Sequence, residues 1–403
     1  MNEIKDEIKE LFQKKSELFE SAENKRRMAM WGPNIRPSEY LPGELPPYPA
    51  SKRKEKRPPI TADWDRIQKS ILLNFNILKY FKDPLYYLKW TLKIDIHRFE
   101  TFLDDTPLLK TIPIFLGLPF EPSLFGMPVV YSTEHEPLFQ AKDKVIKSTS
   151  DLAKLKIPDF YKSKYMSLAH KFYEEIKRVA PKDYFAIFPV LERSPFGIAC
   201  ALRSMEALLM DMITEPTFVH QLMQFLVEAR KEYTKARKEF TGESETENDM
   251  MNDEASTPIL SPELFEEFIF PYENELSKFY GGIGWWHSCG TKTYFINTLK
   301  KFNPPIQFTD INWTNDDVPK AIKDLNGEIP YHIRPGLKDI TETNEDIIKN
   351  NISGIMKLCG KDNYIFRVDW FQPGHPTEKD VKIEQRYLRC LKEVGEKMTE
   401  KID

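Results

Sequence analysis

Ile283-Gly284-Trp285-Trp286, Ile306-Gln307-Phe308-Thr309, Ile329-Pro330-Tyr331-His332-Ile333 and Tyr364-Ile365-Phe366-Arg367-Val368 are short apolar runs, each too brief for a helix and separated by segments of helical periodicity. Before the first lies a helix start, with Ser261 as cap, Pro262 at the first helical position and Glu263 in the first turn. Between the runs come a helix through Tyr294, Ile296 and Leu299, one over residues 316–325 stopped by Gly327, and one over residues 345–359. Strands alternating with helices predict parallel pairing through helical crossovers. The reading is an α/β chain forming a single (β/α)8 TIM barrel, with a helical and irregular N-terminal extension over residues 1–100 and the barrel over residues 101–403.

The length allows this. At roughly 150 residues per ordinary domain, 403 residues suit one large barrel with additions. The extension begins with Ile4, Ile8, Leu11, Phe12, Leu18 and Phe19 at helical spacing, an amphipathic helix expected to pack on its own domain. Residues 31–59 are rich in proline and read as an ordered wrap or linker. Within them, Lys52-Arg53-Lys54-Glu55-Lys56-Arg57 reads as a solvated loop. A lid, a dimer arm and a docking surface all remain open as roles for the extension.

The charge balance, 58 Lys+Arg against 62 Asp+Glu, argues against a nucleic-acid partner. No apolar run reaches the roughly 18 residues needed to span a bilayer, and the first residues lack a signal-peptide layout, so the expectation is a soluble cytoplasmic protein. Four cysteines are too few for a disulfide framework. Cys200, Cys359 and Cys390 fall in helical patterns, Cys359 on the stripe of Ile348, Ile352 and Ile355. Cys289 alone follows a strand in a turn bounded by glycine.

In a barrel, the residues that follow the strands meet at one rim, where active sites are built. His287 and Cys289 flank one residue in extended chain, so both can reach the same metal ion. Asp310 and Asp369 end the next strand and a later one, and offer oxygen donors; helix capping and pairing with Arg334 or Arg193 are their plain structural alternatives.

The series Glu192-Arg193-Ser194-Pro195-Phe196-Gly197-Ile198-Ala199, Met205-Glu206-Ala207-Leu208 and Pro216-Thr217-Phe218-Val219 resembles a motif of the uroporphyrinogen decarboxylase superfamily. Asn252-Asp253-Glu254-Ala255-Ser256, the run from Ile259 to Phe268 and Pro271-Tyr272 are similar to its carboxylate motif. His287-Ser288-Cys289-Gly290 resembles the His-x-Cys-Gly of its zinc branch, the cobamide-dependent methyltransferases.

The resemblance implies a barrel whose rim binds Zn²⁺ and works with a separate corrinoid (cobalamin) protein. The arginine-rich N-terminal motif of true uroporphyrinogen decarboxylases is missing, which argues against porphyrin decarboxylation. Where thiol-methylating relatives place a third ligand, a cysteine, this chain has Asp369. The expected ligands are therefore His287, Cys289, Asp310 and Asp369. One thiolate with harder donors suits an oxygen-bearing substrate, so the implied reaction is O-demethylation of a small methylated compound, compatible with an aromatic ring. Glu192, Asp253 and Glu254 are candidates for handling a proton or orienting substrate. Arg193, Trp285, Trp286, Asn312, Trp313, Arg334, Trp370 and Phe371 are candidates for the substrate pocket. No Asp-x-His-x-x-Gly occurs, so the corrinoid must arrive on another polypeptide. A homodimer is compatible with the sequence, and a membrane partner is not expected.

The competing readings are a methylcorrinoid:thiol methyltransferase with Cys359 or another thiol joining the metal, a metal-free decarboxylase using Arg193 and Arg334, and a non-catalytic binding protein on a barrel scaffold.

Overall fold

The computed structural model describes residues 2–32, 46–140, 142–242, 248–361, 363–370 and 376–399. Its strands are β1 (Ile60–Trp64), β2 (Thr111–Pro113), β3 (Phe185–Ile187), β4 (Asn248–Met251), β5 (Ile283–His287), β6 (Thr309–Asn312), β7 (Tyr331–Arg334) and β8 (Tyr364–Trp370). A curled parallel sheet runs β1-β8-β7-β6-β5-β4, and β2 pairs in parallel with β3. The gap between β3 and β4 is bridged where Met251 N donates to Glu192 O at 2.7 Å and Ser194 N donates to Met251 O at 2.8 Å. Helices follow the strands, so the architecture is the expected α/β barrel of the (β/α)8 type.

Most of the strand residues have the period of two that separates barrel interior from helix layer. Trp286, Ile311, Ile333, Phe366 and Val368 join the large apolar layer under the helices. The expected helix boundaries hold at Pro262–Phe268, where Ser261 Oγ accepts from Leu264 N, and at Glu345–Cys359. The second apolar run of the sequence starts its ladder later than expected: β6 begins at Thr309 and continues through Asp310 to Asn312. A strand need not stay apolar where its inward face meets a solvated mouth.

The segment before residue 101 is part of the barrel as well as an extension to it. β1 pairs with β8 from Ile60↔Phe366 to Trp64↔Trp370. The helix Asn2–Phe19 buries Ile8 and Phe12 against Leu88, Leu92 and Tyr184. The helix Ala22–Trp31 ends by placing Met30 and Trp31 against Trp285, Phe308 and Ile365, which plugs the base of the barrel with an apolar cluster. The described part of the extension thus closes the end opposite the strand C-termini. Arg53 and Arg57, expected to be solvated, are buried.

A buried ionic network ties these parts together. Arg57 grips Asp105 with Nη1 at 2.6 Å and Nη2 at 2.8 Å, Arg26 reaches the same carboxylate at 3.1 Å, and Arg27 and Arg98 hold Asp104. Asp105 and Asp104 in turn accept from Ile60 N and Ala62 N, capping the free edge of β1. Burial alone would raise the Asp105 pKa, but the Arg57 guanidinium overrides it and holds the carboxyl at about 2.

A group depressed in the fold contributes stability above its unfolded pKa and loses it as pH falls through the folded one. Asp105→Asn is expected to cost about 3 kcal/mol at pH 7, with the difference from wild type shrinking between pH 4 and pH 2. Urea unfolding across that range measures it.

Candidate metal centre

Alternation along β5 sends Trp285 and His287 into the barrel and Trp286 outward. Trp286 packs edge-on against Phe265 and donates through Nε1 to Glu273 Oε2 at 2.9 Å. It is a helix-layer residue and does not wall the mouth, contrary to the expectation from its sequence position. Trp285 lies beneath His287, with ring centroids 4.6 Å apart.

Register brings the other donors in. Met251 pairs with His287, and Asn252 N donates to His287 O at 2.8 Å, so the chain leaving β4 delivers Asp253 beside the imidazole. The loop after β5 is stitched to the loop after β4. Ser288 Oγ donates to Ala255 O at 2.8 Å, and Thr257 N donates to Thr291 O at 3.0 Å. Gly290 is needed there because a Cβ would overlap Ser256 Oγ.

The result is a compact donor group. His287 Nε2 lies 3.1 Å from Cys289 Sγ and 3.3 Å from Asp253 Oδ1. The ligand atoms of Asp253, His287 and Cys289 all fall within 4.8 Å of one another. Zinc bonds of about 2.0–2.3 Å in a tetrahedron separate neighbouring donors by roughly 3.3–3.8 Å, close to these spacings. Asp253 Oδ1 is buried and faces the imidazole in an ion-pair contact without well-aligned hydrogen-bond geometry, an arrangement that a shared cation would satisfy. His287 is buried, Asp253 intermediate and Cys289 exposed, so the group opens to solvent on its sulfur side. Burial opposes charge on His287, yet Asp310, Cys289 and Asp253 outweigh it and push its pKa well above the ordinary value. The residues fit a divalent cation.

Asp310 and Asp369, expected as ligands, occupy other positions. Asp310 Oδ1 meets His287 Nδ1, the opposite ring nitrogen, at 3.0 Å, and Lys292 Nζ donates to Asp310 Oδ2 at 2.7 Å. Asp369 is held by Arg334 and Arg367, each at 3.0 Å. Asp253, expected as a proton-handling group, is the carboxylate that joins the imidazole and thiol.

Glu254 is ion-paired with Arg193, and Gly197 makes room for that pair, since a Cβ there would lie 2.8 Å from Glu254 Oε2. Glu192 and Arg193 line a cleft of about 420 Å³, including its open mouth, together with Met251, Phe115, Leu118 and Phe120. Asn312 Nδ2 donates to the Cys289 carbonyl at 3.4 Å. Trp313 packs partly buried on the helix layer. Trp370 ends β8, and Phe371 lies outside the described residues. Cys359 is buried in the helix layer, and the donor group found among the described residues contains no second thiol.

Three supporting residues were not singled out in the sequence. Lys292 and Asp316 lack any motif of their own. Glu273 sits within an ordinary helix, yet it receives Asn252 Nδ2 as well as Trp286 Nε1.

A family model for uroporphyrinogen decarboxylase (URO-D) matches residues 108–368. The chain belongs to the uroporphyrinogen decarboxylase family. Among solved structures, it is similar to a methyltransferase from Methanosarcina mazei, with a TM-score of 0.63 and 12% identity, covering 87% of this chain and 96% of that one. This likeness is one of fold. No curated protein sequence matches. Among the described residues of this family member, no helix is long and apolar enough to cross a membrane.

Desolvation raises the Glu273 pKa to about 7, against the hydrogen bonds from Trp286 and Asn252 that lower it. An acid raised in the fold stabilises below its unfolded pKa, and that stability is lost as pH rises through the folded one. From an ordinary value of 4.5, this predicts a loss of about 3 kcal/mol between pH 4.5 and pH 7. Glu273→Gln is expected to flatten that slope in denaturation curves taken at several pH values.

Proposed function

We propose that the chain is a cytoplasmic zinc-dependent methyltransferase that takes a methyl group from a small methylated substrate, a methoxylated compound by preference, for delivery to the Co(I) of a separate corrinoid protein. The observation that carries the reading is the donor group of one imidazole, one thiol and one carboxylate at the open end of a uroporphyrinogen decarboxylase-family barrel. His287, Cys289 and Asp253 would hold the metal, three protein ligands that leave a position for substrate. Zinc bound there would supply Lewis acidity toward the oxygen that loses its methyl group.

The chain's own residues do the rest. Asp310 fixes the orientation of His287. Glu192 and Glu254 would be the carboxyl groups that hold or hand over the proton that the departing oxygen takes up. Arg193 keeps Glu254 in place through their ion pair. Trp285, under the imidazole, limits how deep a substrate enters, and the cleft beside Glu192 and Arg193 offers room for its body.

The donor group favours this reading over transfer to a thiol, because among the described residues it contains a single thiol, Cys289. The decarboxylase reading would need Arg193 and Arg334 to receive substrate carboxylates, whereas Glu254 and Asp369 already engage them.

The purified chain is expected to carry one zinc per chain and to consume cob(I)alamin, followed by absorbance, when given the right member of a panel of methoxylated compounds. His287→Ala, Cys289→Ala and Asp253→Ala should each lower zinc occupancy and reduce turnover by about 10²-fold or more. Asp369→Asn should leave metal content unchanged. A chain that refuses added zinc, or one that turns over undiminished after chelation, would sink the proposal.

A further inference from the structure

We propose that Lys292 is a positioning residue for the metal centre, orienting the His287 imidazole through Asp310. The inference rests on the metal reading above and extends it to a residue that touches none of the ligands.

The argument starts from burial. Lys292 is 1% exposed, and an ammonium removed from water persists only where it is paired. Its Nζ lies 2.7 Å from Asp310 Oδ2 and 3.4 Å from Asp316 Oδ2. Asp310 therefore spends one oxygen on the lysine and the other on His287 Nδ1 at 3.0 Å. A carboxylate fixed at both oxygens cannot rotate about its terminal torsion. The ring nitrogen it holds is likewise fixed, which presents Nε2 to the side where Cys289 and Asp253 stand.

The lysine is itself anchored. Asp316 Oδ1 accepts from Lys292 N at 2.8 Å, Thr293 N at 3.0 Å and Thr293 Oγ1 at 2.8 Å, while its Oδ2 accepts from Asn312 N at 2.9 Å. Asn315 Nδ2 also donates to the Cys289 carbonyl at 3.0 Å. The loops after β5 and β6 are thereby one hydrogen-bonded unit, and Lys292 rises from it to meet Asp310. The ladder Asp316, Lys292, Asp310, His287 runs from a loop anchor to the metal-facing nitrogen.

The test is a double-mutant cycle on the full chain, reading zinc affinity by competition with a chromophoric chelator. Asp310→Asn and Lys292→Met are each expected to weaken zinc by about 10- to 100-fold. The double variant should be no weaker than Asp310→Asn alone, because the lysine acts through that carboxylate. With Co²⁺ in place of zinc, Lys292→Met should retain the sulfur-to-cobalt absorption band that reports Cys289. Additive losses, or loss of that band, would mean that Lys292 merely supports the loop and would overturn the proposal. Wild-type zinc affinity in Lys292→Met overturns it while leaving the metal centre intact. A wild-type chain that binds no zinc overturns the metal reading and this one with it. If Lys292→Met fails to fold, Lys292→Gln replaces it in the cycle: a loss of zinc affinity that disappears on the Asp310→Asn background upholds the role, and unchanged affinity or an additive loss removes it.

Discussion

An imidazole can offer a metal only one nitrogen while the other is engaged, and in this chain the engaged one is His287 Nδ1, held by Asp310 at 3.0 Å. That contact decides which way Nε2 faces, and Nε2 is the atom around which Cys289 Sγ and Asp253 Oδ1 gather. Reverse the ring and the three donors no longer converge. Much of the surrounding structure serves this orientation: the β4–β5 register that delivers Asp253, the stitched loops that place Cys289, and the buried lysine that occupies the far oxygen of Asp310.

The two ends of the barrel are built from opposite chemistry. The base is dry, closed by Met30 and Trp31 against Trp285, Phe308 and Ile365. The mouth is lined by charged groups arranged in pairs, Arg193 with Glu254, Arg334 and Arg367 with Asp369, Lys292 with Asp310. Charges removed from water are tolerated there because each is matched. Trp285 belongs to both regions, since its ring completes the apolar plug and also carries the imidazole above it. The N-terminal helices therefore bear on the site from below, through the floor on which His287 rests.

The fold was legible in the second half of the chain because β5, β7 and β8 are bounded by helices with clear caps, such as Ser261-Pro262 and the left-handed turn at Asn326-Gly327. The first half was less so. β2 and β3 are three residues each, too short for any periodicity to register, and β1 follows a proline-rich stretch that reads as irregular. The buried Arg53 and Arg57 were hidden for a related reason: a run of basic residues looks solvated unless Asp105 is known to pair with Arg57 and the carbonyls of Tyr48 and Arg57 are known to receive Arg53.

At the candidate site, the spacing of His287 and Cys289 was enough to expect the two side chains close together, and the bend that follows β5 keeps them so. The carboxylates were a different matter. Asp253 lies just past β4, Asp310 within β6 and Asp369 one residue before the end of β8, and nothing in their own neighbourhoods distinguishes a ligand from a hydrogen-bond partner or a counter-ion. Their positions depend on strand register across the barrel and on which cation reaches each one first: Lys292 and one imidazole nitrogen for Asp310, two arginines for Asp369, and the other imidazole nitrogen for Asp253. Such competition is settled by distances between residues far apart in the chain, which is why only the folded molecule assigns it.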